Sequence, residues 1–214
     1  GWPCSTPLDI AYDGLDLTTP QVRKTVEGMI AAGDPFCIVF PFPCGPWNSL
    51  TEFSAARLPE FHKRMHETRE EHIPTLRWMA ETARKRVQRG RIVLLENPAT
   101  SRAYHLDFLE DLEGIEDGLI ADVLFEFTVG DQCMLGQDDR ESGMLFRART
   151  QRGTNSKRLR SIVSARCDES HEHQQIIASN RFGPRWAQKA EWPRMMCRRI
   201  LRSITAELLE RICT

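Results

Sequence analysis

The chain has 214 residues, 41% hydrophobic and 28% charged, which suits one globular domain, or one domain with an appendage, that buries a core of its own. No stretch approaches 18 uninterrupted apolar residues and no charged-then-apolar segment opens the chain, which argues against a membrane span or a secretory leader. The net charge of -1 hides a split: residues 1–139 carry 13 Lys+Arg against 23 Asp+Glu, residues 140–214 carry 16 against 7, and 14 of those 16 are Arg.

Such an Arg-rich final third either meets a polyanion or docks on the acidic half of its own chain. Seven scattered cysteines without a secretory signal point to a reducing, intracellular compartment, nuclear or cytoplasmic. The opening Gly in place of Met suggests an internal piece of a longer protein.

In chain order, Thr18 or Thr19 can cap a first helix with Pro20 in its first turn and Gly33 at its close. CIVF (37–40) is a short, continuous, β-branched-rich run, the pattern of a strand buried on both faces. It runs into PFPCGPW. From Leu58 to Gly90 the pattern is helical and charged, and Pro74 predicts a break into two helices. RIVLLENP supplies a second buried strand and VLFEFTV (123–129) a third, with a loop and a short acidic helix between them over 105–118.

Residues 137–158 are polar, with Arg and Gly, and read as a loop or irregular hairpin. MMCRRILRSITAELLERI closes the chain as an amphipathic helix, apolar at Met196, Ile200, Ile204 and Leu208. Strands alternating with helices predict an α/β domain: a mostly parallel sheet with helices on both faces. The boundaries read as a core over 1–136, an Arg-rich subdomain over 137–192 and a closing helix over 193–214.

Ligands of such sheets sit at the carboxyl ends of the strands, and two of the three strands end in chemically loaded sequences. The first carries Cys44 in a loop stiffened by three prolines; the second ends in Glu96-Asn97-Pro98. A thiol at a strand end can meet free backbone N–H groups that lower its pKa. Equally, Cys44 can pack as a small apolar residue in a tight turn, and Glu96 can be a half-exposed neighbour of an Asx turn at Asn97. Trp47, just after the loop, can stack on a base or cover the sheet edge.

Taken together, PFPCGPWNSL and LLENP resemble the Pro-Cys and Glu-Asn loops of the DNA cytosine-5 methyltransferases. The order GLDLT, strand, PFPCGPW, long helix, LLENPATSRAY, GDQCMLG, TNS and CDESHEH resembles, over most of the chain, the methyltransferase-like domain of retrotransposon polyproteins, notably the copia-type elements of dinoflagellates. The resemblance implies a Rossmann-like, class I methyltransferase fold and a flipped-out cytosine attacked at C6 by Cys44. It also implies a carboxyl at Glu96 holding the ring nitrogen and exocyclic amine, and S-adenosylmethionine as methyl donor.

It further implies base or backbone contacts from Arg147 and Arg149 of FRARTQR, and cofactor contacts from Asp16, Pro43 and Asn97. Its partners would be nucleic acid, DNA rather than RNA, and other domains of the polyprotein. The chain departs from the family pattern in three places. The glycine-rich cofactor loop and its strand are absent from the start of the sequence, no Gln precedes the Arg-x-Arg, and no target-recognition region is evident after Gly136. The alternative is a non-catalytic nucleic-acid-binding or structural module of the polyprotein, or a decayed copy.

Cys133, Cys167, His171 and His173 form an acceptable Cys2His2 set for a structural zinc that would staple the Arg-rich segment. The competing reading is two buried thiols beside two solvated imidazoles. His62, His66 and His72 ride a charged helical face and read as solvated.

Overall fold

The computed structural model describes Leu8, residues 14–119, 122–176 and 179–213. Its helices are α1 (Pro20–Gly33), α2 (Ser49–Ala55), α3 (Pro59–Gln88), α4 (Asp107–Glu110), α5 (Lys157–Val163), α6 (Arg185–Ala190) and α7 (Arg194–Cys213). The strands are β1 (Cys37–Pro41), β2 (Ile92–Pro98), β3 (Glu126–Asp131), β4 (Leu145–Phe146), β5 (Arg149–Thr154), β6 (His173–Gln174), β7 (Ser179–Asn180) and β8 (Gly183–Pro184). Cys4 lies outside the described residues.

The main sheet has the order β1-β2-β5-β3. β1 and β2 pair in parallel, while β5 runs antiparallel to both β2 and β3. The protein is therefore α/β, but the sheet is mixed rather than mostly parallel. Three strands run one way, and the segment expected to be loop, 137–158, inserts the reversed β5 between two of them. That segment reads as polar because Thr150, Arg152 and Thr154 face inward yet are hydrophilic, and all three are almost wholly buried. The expected boundary at residue 137 thus cuts through the main sheet.

Helices cover both faces, as expected. On one side Val93 and Leu95 pack with Val26 of α1, with Leu76, Met79, Ala83 and Val87 of α3, and with Phe42, Tyr104 and Phe125. On the other, Ile92 and Leu94 pack with Leu159 of α5 and with Met196 and Ile200 of α7. The period-2 alternation along β2 sorts its apolar residues between two cores.

Pro74 does not break α3, which runs unbroken from Pro59 to Gln88. An interior proline costs about 3 kcal/mol. The turns that follow it bury Leu76, Trp78, Met79, Ala80 and Ala83, and fully burying one large apolar side chain contributes about 1.5–3 kcal/mol. Packing outweighs the lost hydrogen bond.

Gly153 of β5 is where aromatic rings cross the sheet. A Cβ there would lie 2.5 Å from Phe127 and 2.7 Å from Phe125, whose rings meet edge to face at 5.5 Å, with Tyr104 continuing the stack.

α1 ends on Asp34, held in the left-handed region at φ 36. Its carboxylate takes Nη1 of the buried Arg86 at 2.6 Å and pairs also with Arg91. Those two guanidiniums draw the Asp34 pKa down to about 2. The folded pKa lies below the unfolded one, so this stabilisation is present above about pH 4 and is lost as pH falls towards 2. Asp34→Asn should lower stability in urea at pH 7 by about 0.5–1 kcal/mol, because solvent screens the half-exposed carboxylate, with the difference from wild type shrinking near pH 2.5. A pH-independent difference would assign the effect to helix capping instead.

Candidate active site and metal centre

The parallel register places Pro41 beside Glu96, so the loops after β1 and β2 leave the sheet at the same edge. Cys44 (φ -95, ψ -22) opens a single helical turn, Gly45–Trp47, and its carbonyl accepts from Trp47 N at 3.0 Å. The loop is tied from several sides. Asn97 Nδ2 donates to Phe42 O at 2.6 Å, Arg69 Nε donates to Pro46 O at 2.9 Å, and Asn48 Nδ2 and Thr51 Oγ1 donate to Gly45 O at 2.8 and 2.6 Å. Phe42 is buried against Tyr104 at 5.4 Å.

Trp47 is buried, with the Arg69 guanidinium over its ring at 5.0 Å, so it covers the sheet edge and offers no face to a base. Asn48 caps α2, accepting from Thr51 N at 2.8 Å; this helix was not legible in the sequence. Asn97, expected at the cofactor, is almost wholly buried and spends its amide on the Cys loop.

Glu96 points to the face covered by α7. Trp192 Nε1 donates to its Oε2 at 3.4 Å. Its neighbour across the sheet is Arg152 of β5, a fully buried residue whose guanidinium donates to Val163 O at 3.2 Å and lies 3.6 Å from Met196 Sδ. Burial raises the Glu96 pKa, and Arg152, Trp192 and Lys189 offset part of that rise. Burial likewise raises the Cys44 thiol; Lys189 draws it down and Glu96 pushes it up. The expectation of a thiol acidified by the loop is therefore reversed. Opening a one-turn helix supplies too little positive dipole to offset the lost solvation.

Arg147 and Arg149 stand elsewhere. Arg147 Nη1 pairs with Glu169 at 2.8 Å, and Arg149 Nε lies 3.6 Å from the buried Asp131. Arg152 occupies the place beside Glu96. The signal was present in FRARTQR: in a strand, residues 149 and 152 face opposite sides of the sheet, so they cannot share a role. Lys189 and Trp192 carried no sequence signal, because nothing local shows that the α6 segment returns to Glu96.

Asp16 Oδ1 takes Thr18 N at 2.9 Å and Thr18 Oγ1 at 2.7 Å, closing a turn before α1, and Pro43 is exposed. Asp16 is occupied by its own turn and Asn97 by the Cys loop, so these three do not assemble a cradle for S-adenosylmethionine among the described residues.

The four expected metal ligands converge. One ligand atom from each of Cys133, Cys167, His171 and His173 lies within 4.8 Å of the others. Cys167 Sγ is 3.4 Å from His173 Nε2 and 3.7 Å from His171 Nε2. With Zn–S about 2.3 Å and Zn–N about 2.0–2.1 Å, a tetrahedral site has edges of roughly 3.3–3.8 Å, so this set fits a metal ion. Cys133 lies in the turn Gln132–Leu135 after β3, and His173 starts β6, which pairs in parallel with β4.

Around the cluster, Asp131 Oδ2 accepts Cys167 N at 2.9 Å and Glu169 N donates to Cys167 Sγ at 3.3 Å. Burial, and the Cys167 thiol beside it, push Cys133 up to about 12. Two thiols this close resist sharing the site as anions unless a cation joins them.

His62 and His66 bring their Nε2 atoms to 3.2 Å on an exposed helix face. No third ligand joins them among the described residues. No helix among the described residues is long and apolar enough to cross a membrane. Comparison with protein-family models, curated proteins and solved structures found no match.

Proposed function

We propose that the chain is a DNA cytosine-5 methyltransferase-like domain of a retrotransposon polyprotein, and that the edge carrying Cys44 and Glu96 handles a pyrimidine base. The observation that carries this reading is the parallel pairing of β1 and β2, which turns both loops out of the sheet side by side. Glu96 pushes the Cys44 thiol's pKa up. The Rossmann-like assignment draws its support from the parallel β1–β2 pair and the helices on both faces.

In this reading a cytosine leaves its stack to reach the edge. The Cys44 thiolate adds to C6, the C5–C6 electron pair moves onto C5, and a Glu96 carboxyl shares its proton with the ring nitrogen. The raised pKa of Glu96 suits this role, since a buried carboxyl keeps its proton at higher pH.

The zinc reading follows from the ligand set: four protein ligands leave no open position, so the metal would be structural. A non-catalytic nucleic-acid-binding module is favoured by two observations, the thiol raised by burial and the missing cofactor cradle.

An oligonucleotide carrying 2-pyrimidinone in place of cytosine separates the two readings. Without the exocyclic amine, C6 is electrophilic enough to take a thiol with no methyl transfer. Peptide mass mapping should find the adduct on Cys44, formed faster as pH rises towards the raised thiol pKa, absent in Cys44→Ser and slowed about 10–100-fold in Glu96→Gln. Retained oligonucleotide binding without any adduct would select the non-catalytic module.

A further inference from the structure

The Arg-rich final third does two things at once. Much of its charge is neutralised within the chain: Arg147 with Glu169, Arg158 with Glu210, Arg160 with Glu126, Arg185 with Asp139, and Arg211 with Asp117 and Glu207. By contrast, Arg166, Arg194, Arg198, Arg199 and Arg202 are exposed and make no ion pair among the described residues. They are not scattered. At 100° per residue, positions 194, 198, 199 and 202 fall within a 140° arc of α7, beside the stripe of Met196, Ile200 and Ser203 that the helix buries.

That arc borders a groove of about 470 Å³ between α5 and α7. Arg158, Arg199 and Arg202 line it, with Ser161 and Ser203 as further polar groups and Ile162 on an apolar wall. α7 begins beside Trp192 and Glu96 and ends where Arg211 reaches Gly90 O, so it runs down the sheet from the edge that holds Cys44. α5 runs the opposite way, and Arg166 follows it at the upper end, where Ala165 O accepts from Asp131 N at 2.8 Å. Arg199 sits near the same end, its Nη1 3.4 Å from Met134 O.

We propose that the α5–α7 groove is the track for a nucleic-acid sugar–phosphate backbone, gripped by Arg166, Arg199 and Arg202. The inference rests on the reading that the adjoining edge handles a nucleobase. Guanidiniums rather than ammonium groups favour a phosphate strand, because the planar fork matches phosphate oxygens two at a time. Arg194 to Arg202 spans about 12 Å of helix axis, roughly three to four phosphates of one strand at 3.4 Å each. The acidic first 139 residues repel the same polyanion, which confines contact to this face.

The test is fluorescence anisotropy of a labelled oligonucleotide with the full chain between 50 and 200 mM salt. The triple variant Arg166→Gln, Arg199→Gln, Arg202→Gln should bind about 10–100-fold more weakly at 100 mM salt, its log–log salt slope smaller by about 2–3. Arg140→Gln, which breaks a pair with Glu191 away from the groove, should leave both unchanged. All four positions are at the surface, and matching circular-dichroism melts verify the fold.

Unchanged affinity and slope in the triple variant, or no oligonucleotide binding by the wild type, overturns the proposal. Competition by polyglutamate at equal charge, as strong as that by unlabelled oligonucleotide, also overturns it in favour of an acidic protein partner. Binding that persists without the 2-pyrimidinone adduct sinks the base chemistry and leaves the groove standing.

Discussion

Replacing Arg152 with alanine is expected to destabilise the fold by about 3–5 kcal/mol, the usual cost of removing one member of a buried charged set. Arg152 has no exposed surface. It lies across the sheet from Glu96, donates to Val163 O and lies against Met196 Sδ. Alanine would leave a cavity, an unpaired carbonyl and a carboxyl stripped of its positive neighbour. Because Arg152 lowers the Glu96 pKa, its loss should drive that pKa up further and keep Glu96 protonated.

Urea denaturation of Arg152→Ala, Arg152→Met, Glu96→Gln and the double variant Arg152→Met/Glu96→Gln measures the coupling. Methionine fills the volume, and glutamine removes the charge that wanted a partner, so the double variant should recover most of the stability. If Arg152→Ala costs under about 1 kcal/mol, the arginine is not what holds this corner.

The second large effect concerns the metal cluster. Purified protein should hold one zinc per chain by elemental analysis, and Cys167→Ala should abolish it. Cys167 is the hub of the set, within reach of both imidazoles, with its own N–H fixed by Asp131. The ion would tie the end of β3 to residues 167–173 and, through β6, to β4. Losing it should release these segments together.

Hydrogen exchange with and without chelator reads that directly. Protection should fall around Cys133 and over 165–174 while β1 and β2 stay protected. Zinc-free protein with unchanged exchange would leave four polar residues that merely meet. Binding energies of structural zinc, about 10–16 kcal/mol in small peptides, exceed any other local contribution in a segment so poor in apolar side chains.

Both effects bear on how the two halves of the chain cooperate. β5 and the segment leading into α7 bring Arg152 and Trp192 up to Glu96 from the far part of the sequence, with Met196 of α7 against Arg152. The Cys/His cluster gathers the loop after α5, and α5 supplies one wall of the arginine groove. Residues 137–192 are thus not an appendage. Part of this segment is inside the sheet, and part frames the surface beside the site.

Local chemistry alone determined several things about this protein. The continuous apolar run of β2 declared a strand buried on both faces, because such strands take apolar residues at every position; the similar run of β1 marked a strand but not its burial, since β1 lies at the sheet edge with Val39 exposed. Pro20 marked the start of α1, and the apolar spacing over 196–208 marked α7. Residue types at close spacing identified Cys167, His171 and His173 as potential ligands, and the thiol and carboxyl ending neighbouring strands stood out as a pair.

Other features only the tertiary structure decided. β5 is hydrophilic, yet central, because its backbone pairs with β2 on one side and β3 on the other, and its buried Arg152 reaches Val163 O and Met196 Sδ, contacts that no local window shows. The unbroken α3 follows from packing that outweighs Pro74. Which arginine faces Glu96 depended on strand parity, and which arginines stay free depended on distant acids. The protonation of Cys44 is likewise set by burial and by Lys189 and Glu96, groups 145 and 52 positions away. Each of these is a difference between solvation and partnership, and a sequence lists the partners without saying which of them meet.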